Sequence, residues 1–199
     1  ALYFGGVTVA ESATGWPLAH PPGTQFRYAN NDSVLAVHAL RAATGDEARA
    51  LSRPFTDLFW PLGMTRTVAE TDWRGGFVLS SQVWSTARDL ARFGLLLQQG
   101  GVFEGRRLLP DGWVRAATTP SGPQPEGDLG YGATLWLMQR TAGVPADTFA
   151  AMGNRGQYVI VVPSRGVVLV RRGEDPTGKR FDPAAFTVAV LASLEATAR

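Results

Sequence analysis

The chain has 199 residues and a formal net charge of +2, and its basic residues are almost all arginine, with Lys179 the single lysine. The arginines are scattered among acidic residues rather than gathered into a stripe, which argues against nucleic acid as a partner. No run reaches the roughly 18 apolar residues of a membrane span, and the lack of cysteine excludes disulfides and thiolate metal sites. Length and apolar content suit one domain, or one large part of a domain, with a substantial core. The two histidines, His20 and His38, are too few for a histidine-rich metal site, and no metal or other cofactor is expected.

In chain order, Ala1 to Gly6 read as the middle of a fold rather than as the opening of a signal peptide. Residues 1 to 27 are expected to be mostly irregular, punctuated by Pro17, Pro21, Pro22 and Gly23, with His20 a loop residue bonded to backbone. Asn30-Asn31-Asp32-Ser33 are four residues that all favour helix N-caps. Behind them Val34, Leu35, His38, Ala39 and Ala42 form one helical face that Gly45 ends, which makes His38 a core histidine. Tyr28 and Asn30 therefore lie at the mouth of a helix. Pro54 opens a short helix carrying Phe55, Leu58 and Phe59, and Pro61-Leu62-Gly63-Met64 closes it. Residues 71 to 77 form a turn-rich connection. Thr86-Ala87-Arg88-Asp89 is a capping box for the clearest helix of the chain, with Leu90, Phe93, Gly94 and Leu97 along one face and Gly100-Gly101 at its end.

A second short helix is predicted from Pro110 to about Ala117, then a Pro/Gly loop over 118 to 130 that has the composition of a flap, then a strand from Tyr131 to about Met138. Two nearly continuous β-branched runs, Tyr158 to Val162 and Val167 to Val170, flank Pro163-Ser164-Arg165-Gly166 and read as a β-hairpin. Apolar residues on both faces place that hairpin centrally in a sheet. Asp182-Pro183 starts a terminal helix whose Phe186, Val190 and Leu194 are expected to face the sheet. The whole is α+β (α/β in looser naming): helices first, a three-stranded antiparallel run, then a closing helix, as one domain over 1–199.

Gly153-Asn154-Arg155-Gly156, directly ahead of the hairpin, is polar and glycine-rich where backbone can approach a ligand closely; an ordinary turn has the same composition. Taken with Tyr28-Ala29-Asn30, Pro61-Leu62-Gly63-Met64, Ser85 to Phe93 and Tyr131-Gly132, in this order, it resembles the serine β-lactamase-related hydrolases. These include class C β-lactamases, D-alanyl-D-alanine carboxypeptidases and 6-aminohexanoate-oligomer hydrolases. The resemblance implies an antiparallel sheet with helices packed on it, and an acyl-enzyme mechanism on a small ester, amide or peptide-like substrate. It implies that Tyr28 relays protons, that Asn30 orients it and the substrate, and that Gly153, Asn154, Arg155 and Gly156 bind the substrate. A phenol ordinarily titrates near pH 10, about three units above neutrality, so that relay needs neighbouring cations.

Two departures qualify the resemblance. No serine is followed three residues later by lysine, so the family's Ser-x-x-Lys nucleophile is absent from this sequence and is expected on an amino-terminal piece of the fold. The third motif is Asn-Arg-Gly rather than Lys-Thr-Gly, which favours an esterase or amide hydrolase over a β-lactamase. The other reading is a non-catalytic relative that binds a peptide-like ligand or packs against a partner. The lack of cysteine is compatible with an extracytoplasmic location.

Overall fold

In the computed structural model, which describes residues 7–179 and 181–197, the chain gathers into two units, Ala1–Asp89 and Leu90–Arg199. In the first, helix α1 (Val9–Thr14) starts at a reciprocal cap. Thr8 Oγ1 accepts from the Glu11 N–H at 3.2 Å, and the Glu11 carboxylate accepts from the Thr8 N–H at 2.9 Å. The expectation that residues 1 to 27 are mostly irregular is corrected over these positions: Thr-x-x-Glu is a start signal in its own right. Helix α2 (Asn30–Thr44) follows and ends at Gly45 in the left-handed region, at φ +67°. Its N-cap is Ala29, whose methyl makes no capping hydrogen bond, and Asn30 is the first helical residue rather than a cap. Helix α3 (Glu47–Arg53) is capped by Asp46, which accepts from the Arg49 N–H at 3.1 Å, and runs into a π-helical turn over Pro54–Phe59.

Val9, Ala13, Val34 and Val78 form the core beneath α1 and α2. Of the predicted apolar face of α2 only Val34 is buried, and His38 is exposed rather than a core histidine. Length explains the difference. At about 1.5 Å per residue, α1 is roughly 9 Å long against roughly 22 Å for α2, so it is less than half as long and leaves most of α2 uncovered. The turn from Thr71 to Phe77 is organised by Asp72, whose carboxylate accepts from the N–H groups of Val9, Arg74 and Gly76 at 2.8–3.0 Å. Strands β1 (Val68–Ala69) and β2 (Val83–Trp84) pair antiparallel.

Helix α4 (Ala87–Gln98) begins where predicted, with Thr86 Oγ1 accepting from the Asp89 N–H at 3.1 Å. The buried Asp89 carboxylate accepts from the Arg66 N–H at 2.9 Å and the Thr67 hydroxyl at 3.0 Å. A carboxylate removed from water is tolerable because each bond is charge-assisted.

In the second unit, β3 (Val102–Phe103) and β4 (Arg106–Arg107) form a small hairpin, and α5 (Trp113–Ala117) is the predicted second helix. Among the described residues the sheet has five strands in the order β5 (Gly130–Tyr131), β6 (Trp136–Leu137), β7 (Phe149–Gly153), β8 (Gln157–Val162) and β9 (Val167–Arg171), all antiparallel neighbours. Three expectations change here. The single strand predicted from Tyr131 to Met138 is a tight hairpin, because Gly132 sits against the Ala117 carbonyl, where a side chain has no room, and Thr134 turns the chain at φ +66°. Strand β7 is added ahead of the predicted hairpin. That hairpin is not central: β8 is interior, and β9 is the edge of the sheet among the described residues.

Residues 159 to 162 of β8 are all buried and alternate between two cores. Val161 joins Leu97, Ala117, Leu135, Leu137 and Phe149 on the face covered by α4. Ile160 and Val162 join Met138, Ala150 and Leu191 on the face covered by helix α6 (Pro183–Thr197). Asp182 caps α6 as predicted, accepting from the Ala184 and Ala185 N–H groups at 2.9 and 3.0 Å. The buried stripe of α6 is Thr187 and Leu191, with Phe186 and Val190 half-buried, and Leu194 is 49% exposed rather than facing the sheet. Thr187 can be buried because its hydroxyl is satisfied within the helix by the Pro183 carbonyl at 2.7 Å.

Gly94 of α4 lies against Val168 and Val159, and a β-carbon there would sit 3.0 Å from Val159 Cγ1 and closer still to Val168. Gly94→Ala should therefore destabilise by about 1–3 kcal/mol through overpacking. In an open helix the same change would add about 1 kcal/mol of stability. Urea unfolding reads the sign directly. Leu191→Ala should cost about 2–5 kcal/mol, whereas Leu194→Ser should stay within about 0.5 kcal/mol.

Candidate functional site

The first unit positions Tyr28 and Asn30 through the entrance to α2. Ala29 is extended, at φ −140° and ψ 128°, and Asn30 begins the helix, so the two side chains flank a sharp change of backbone direction. Tyr28 is 52% exposed and Asn30 is half-buried. Tyr28 is thus open to solvent at the helix entrance, while the helix fixes its neighbour Asn30.

A groove of about 520 Å³ in this unit is lined by Thr8, Glu11, His38, Arg41, Asp72 and Arg74 among others, and neither Tyr28 nor Asn30 lines it. Its charges are largely matched internally. Arg41 pairs with Glu47 at 2.6 Å, Glu11 closes the cap of α1, and Asp72 is saturated by backbone N–H groups. We assign no chemistry to it. Among the described residues, no group of His, Asp and Glu side chains is arranged to hold a metal ion.

The second unit holds Gly153, Asn154, Arg155 and Gly156 together at the turn between β7 and β8, where Gly153 pairs with Gln157. The glycine-rich segment is thus the tip of a hairpin inside the sheet order, not a loop feeding a first strand. Arg155 is left-handed at φ +57°, which is uncommon for a residue with a side chain, and Gly156 follows at φ +85°. The Arg155 guanidinium pairs with Glu174 at 2.7 Å, with its side chain 54% exposed. An exposed pair of this kind contributes at most about 1 kcal/mol.

Residues not singled out in the sequence surround this turn. Arg171, the last residue of β9, donates to the Gly156 carbonyl at 2.8 Å and to Asp175 at 2.6 Å, and its guanidinium lies 3.9 Å from the centre of the Phe181 ring. The Asp175 N–H donates to the Arg155 carbonyl at 3.0 Å. Gln157 donates to the Gly173 carbonyl and accepts from Arg172 Nε at 3.0 Å. The signal for these contacts lay in the run Arg171-Arg172-Gly173-Glu174-Asp175, a cluster of both charges directly after an apolar strand.

The hydrogen bond from Arg171, reinforced by its charge, lowers the pKa of Asp175 below the usual carboxylate value, against the opposing effect of burial. Because folding depresses this pKa, the stabilisation is present above the ordinary value of about 3.9 and is lost as pH falls through the lower folded value. A carboxyl ¹³C titration should show Asp175 ionised to lower pH than a free aspartate, with Arg171→Ala returning it toward the ordinary range. An upward displacement in the unmodified chain would contradict the pairing.

With this geometry in place, the sequence model of the family described as Beta-lactamase matches residues 7–192. A comparison with curated protein sequences gives no match. Among solved structures, one described as a 6-aminohexanoate-dimer hydrolase from Bacillus anthracis is 22% identical, with a TM-score of 0.74 over 92% of this chain and 46% of its own. A penicillin-binding protein homolog from Caulobacter crescentus is 19% identical, with a TM-score of 0.73 over 92% of this chain and 64% of its own. A β-lactamase from Mycobacterium bovis is 22% identical, with a TM-score of 0.66 over 87% of this chain and 66% of its own. The likeness is one of fold, and the chain spans about half to two-thirds of the length of these structures.

Proposed function

Because the chain belongs to the Beta-lactamase family, we propose that it carries part of a serine hydrolase that acts on an ester or amide through an acyl-enzyme. Residues 1–199 are read as one domain of that family, with the nucleophilic serine and its lysine on polypeptide outside this sequence. The observation that carries the reading is Tyr28-Ala29-Asn30 at the entrance to α2, in a chain that the family's model matches over residues 7–192. A descendant that only bound ligands would have no use for a tyrosine exposed at a helix entrance for proton transfer.

In this reading Tyr28 takes the proton of the attacking hydroxyl and returns it to the leaving group, and Asn30 holds the tyrosine and the substrate amide. Asn154 and Gly156 offer polar contacts at the hairpin tip. Arg155 offers a planar fork suited to a substrate carboxylate or carbonyl. Arginine in place of the family's lysine at this motif supports an ester or amide substrate other than a β-lactam.

A nucleophile, its base and its oxyanion donors act as a unit, and losing one member removes several orders of magnitude in rate. The 199 residues alone should therefore hydrolyse p-nitrophenyl acetate no faster than background, and intact mass should show no adduct after treatment with a fluorophosphonate. A stoichiometric adduct on any serine of this chain would overturn the assignment of the nucleophile. In a longer polypeptide that supplies Ser-x-x-Lys, ester hydrolysis should appear and Tyr28→Phe should slow kcat by about 10²-fold or more. Full activity in that variant would remove Tyr28 from the mechanism.

A further inference from the structure

The turn that the proposed function assigns to substrate is held in a conformation its own sequence does not favour. A left-handed Arg155 costs about 1–2 kcal/mol, and such strain persists only where surrounding contacts over-determine it. The shorter of those contacts come from one end of β9, beside a longer one from Gln157 Nε2 to the Arg155 carbonyl at 3.4 Å. The carbonyls of Arg155 and Gly156, two consecutive peptide units of the turn, are engaged by the last residue of β9 and by the segment that follows it. Asp175 N–H takes the first at 3.0 Å and Arg171 Nη1 takes the second at 2.8 Å. Arg171 Nη2 holds Asp175 at 2.6 Å, and Asp175 Oδ2 accepts from the Phe181 N–H at 3.4 Å. The Phe181 ring covers the guanidinium at 3.9 Å.

The fit leaves no slack. A β-carbon on Gly156 would collide with Arg171 Nη1 and the Asp175 carboxylate, and one on Gly173 would collide with Arg171 Nη1. Arg171 and Asp175 are mostly buried, at 23% and 14% side-chain exposure, so their bonds are better shielded from water than the Arg155–Glu174 pair. Turning both carbonyls toward the clamp fixes the two peptide planes, because each trans peptide is rigid. With the Arg155–Gly156 plane held in this way and the chain before the turn held by the pairing of Gly153 with Gln157, the direction of the Arg155 Cα–Cβ bond is restrained from both sides.

We propose that Arg171 is a positioning residue for the substrate-binding turn: its guanidinium bridges the Gly156 carbonyl and Asp175, and so presents Arg155 to a carboxylate-bearing substrate. The part concerning substrate rests on the functional reading above; the clamp itself rests on the contacts. The fork geometry is the point of the arginine, since an ammonium has one nitrogen and cannot span two acceptors while stacking flat on a ring. Lysine at 171 would keep the charge and lose the bridge.

Hydrogen exchange on the 199-residue chain tests the clamp. Arg171→Lys and Asp175→Asn should each speed exchange at the Gly156, Gln157 and Asp175 amides by about tenfold or more, with Val159 to Val161 unchanged. Acceleration across all of β8 together would mean a merely structural arginine, and no change at the turn would mean no clamp; either result overturns the proposal. In the longer polypeptide that carries the nucleophile, Arg171→Lys should raise KM for mono-p-nitrophenyl glutarate about tenfold and leave kcat within about twofold. The carboxylate-free p-nitrophenyl acetate should show unchanged KM. An equal effect on both esters, or a loss confined to kcat, contradicts positioning through Arg155. Absence of turnover in the unsubstituted longer polypeptide would refute the hydrolase reading, while the exchange result still decides the clamp.

Discussion

Because Val159, Ile160, Val161 and Val162 are all buried, both faces of β8 must be covered, and the rest of the second unit follows from that requirement. Period-two alternation sends Val161 to one core and Ile160 and Val162 to the other, so one helix cannot serve both. Helix α4 closes the first face, and Gly94 lets its backbone come down onto Val168 and Val159. Helix α6 closes the second, with Leu191 in the cluster of Ile160 and Val162 and with Ala184 and Phe186 packed against it. At about 1.5–3 kcal/mol for each large side chain fully buried, these two layers are the main stabilising contribution to the unit.

The same strand fixes the candidate chemistry. Its first residue, Gln157, is the far end of the turn that carries Asn154, Arg155 and Gly156, and its neighbour β9 delivers Arg171 to that turn. Rigid strands thus hold a short polar tip from both sides, which suits a binding residue better than an unsupported loop does. Tyr28 is placed by another device, the abrupt passage from extended backbone to helix at Ala29.

What the sequence made legible and what it hid divide along physical lines. Long periodic or β-branched segments were readable: α4, the β8–β9 pair and the start of α6 stand where pattern and caps place them. Strand β7 was not, since Phe149-Ala-Ala-Met-Gly has no β-branched residue and no alternation. The β5–β6 turn was missed because nothing local announces a left-handed Thr134; the Ala117 carbonyl pressed against Gly132 belongs to tertiary structure. Helix α6 is apolar nearly all round, so periodicity could not choose Leu191 over Leu194. The His38 expectation failed because helical spacing shows which residues share a face, not how far a neighbour extends over it. At the candidate site, Tyr28, Asn30 and residues 153 to 156 came from ordered motifs, whereas the Arg171–Asp175–Phe181 bracket depends on a chain reversal that no motif encodes.

The central claim is that the Asn154–Gly156 turn is a preformed contact for a carboxylate-bearing substrate, and titration of the ¹⁵N-labelled chain with glutarate monoamide tests it most directly. Saturable shifts confined to the backbone amides of residues 154 to 157 and the Arg155 Nε–H, abolished by Arg155→Met, are the predicted result. Shifts centred instead on the groove beside His38 and Arg41, or a response at the turn that survives Arg155→Met, would contradict it.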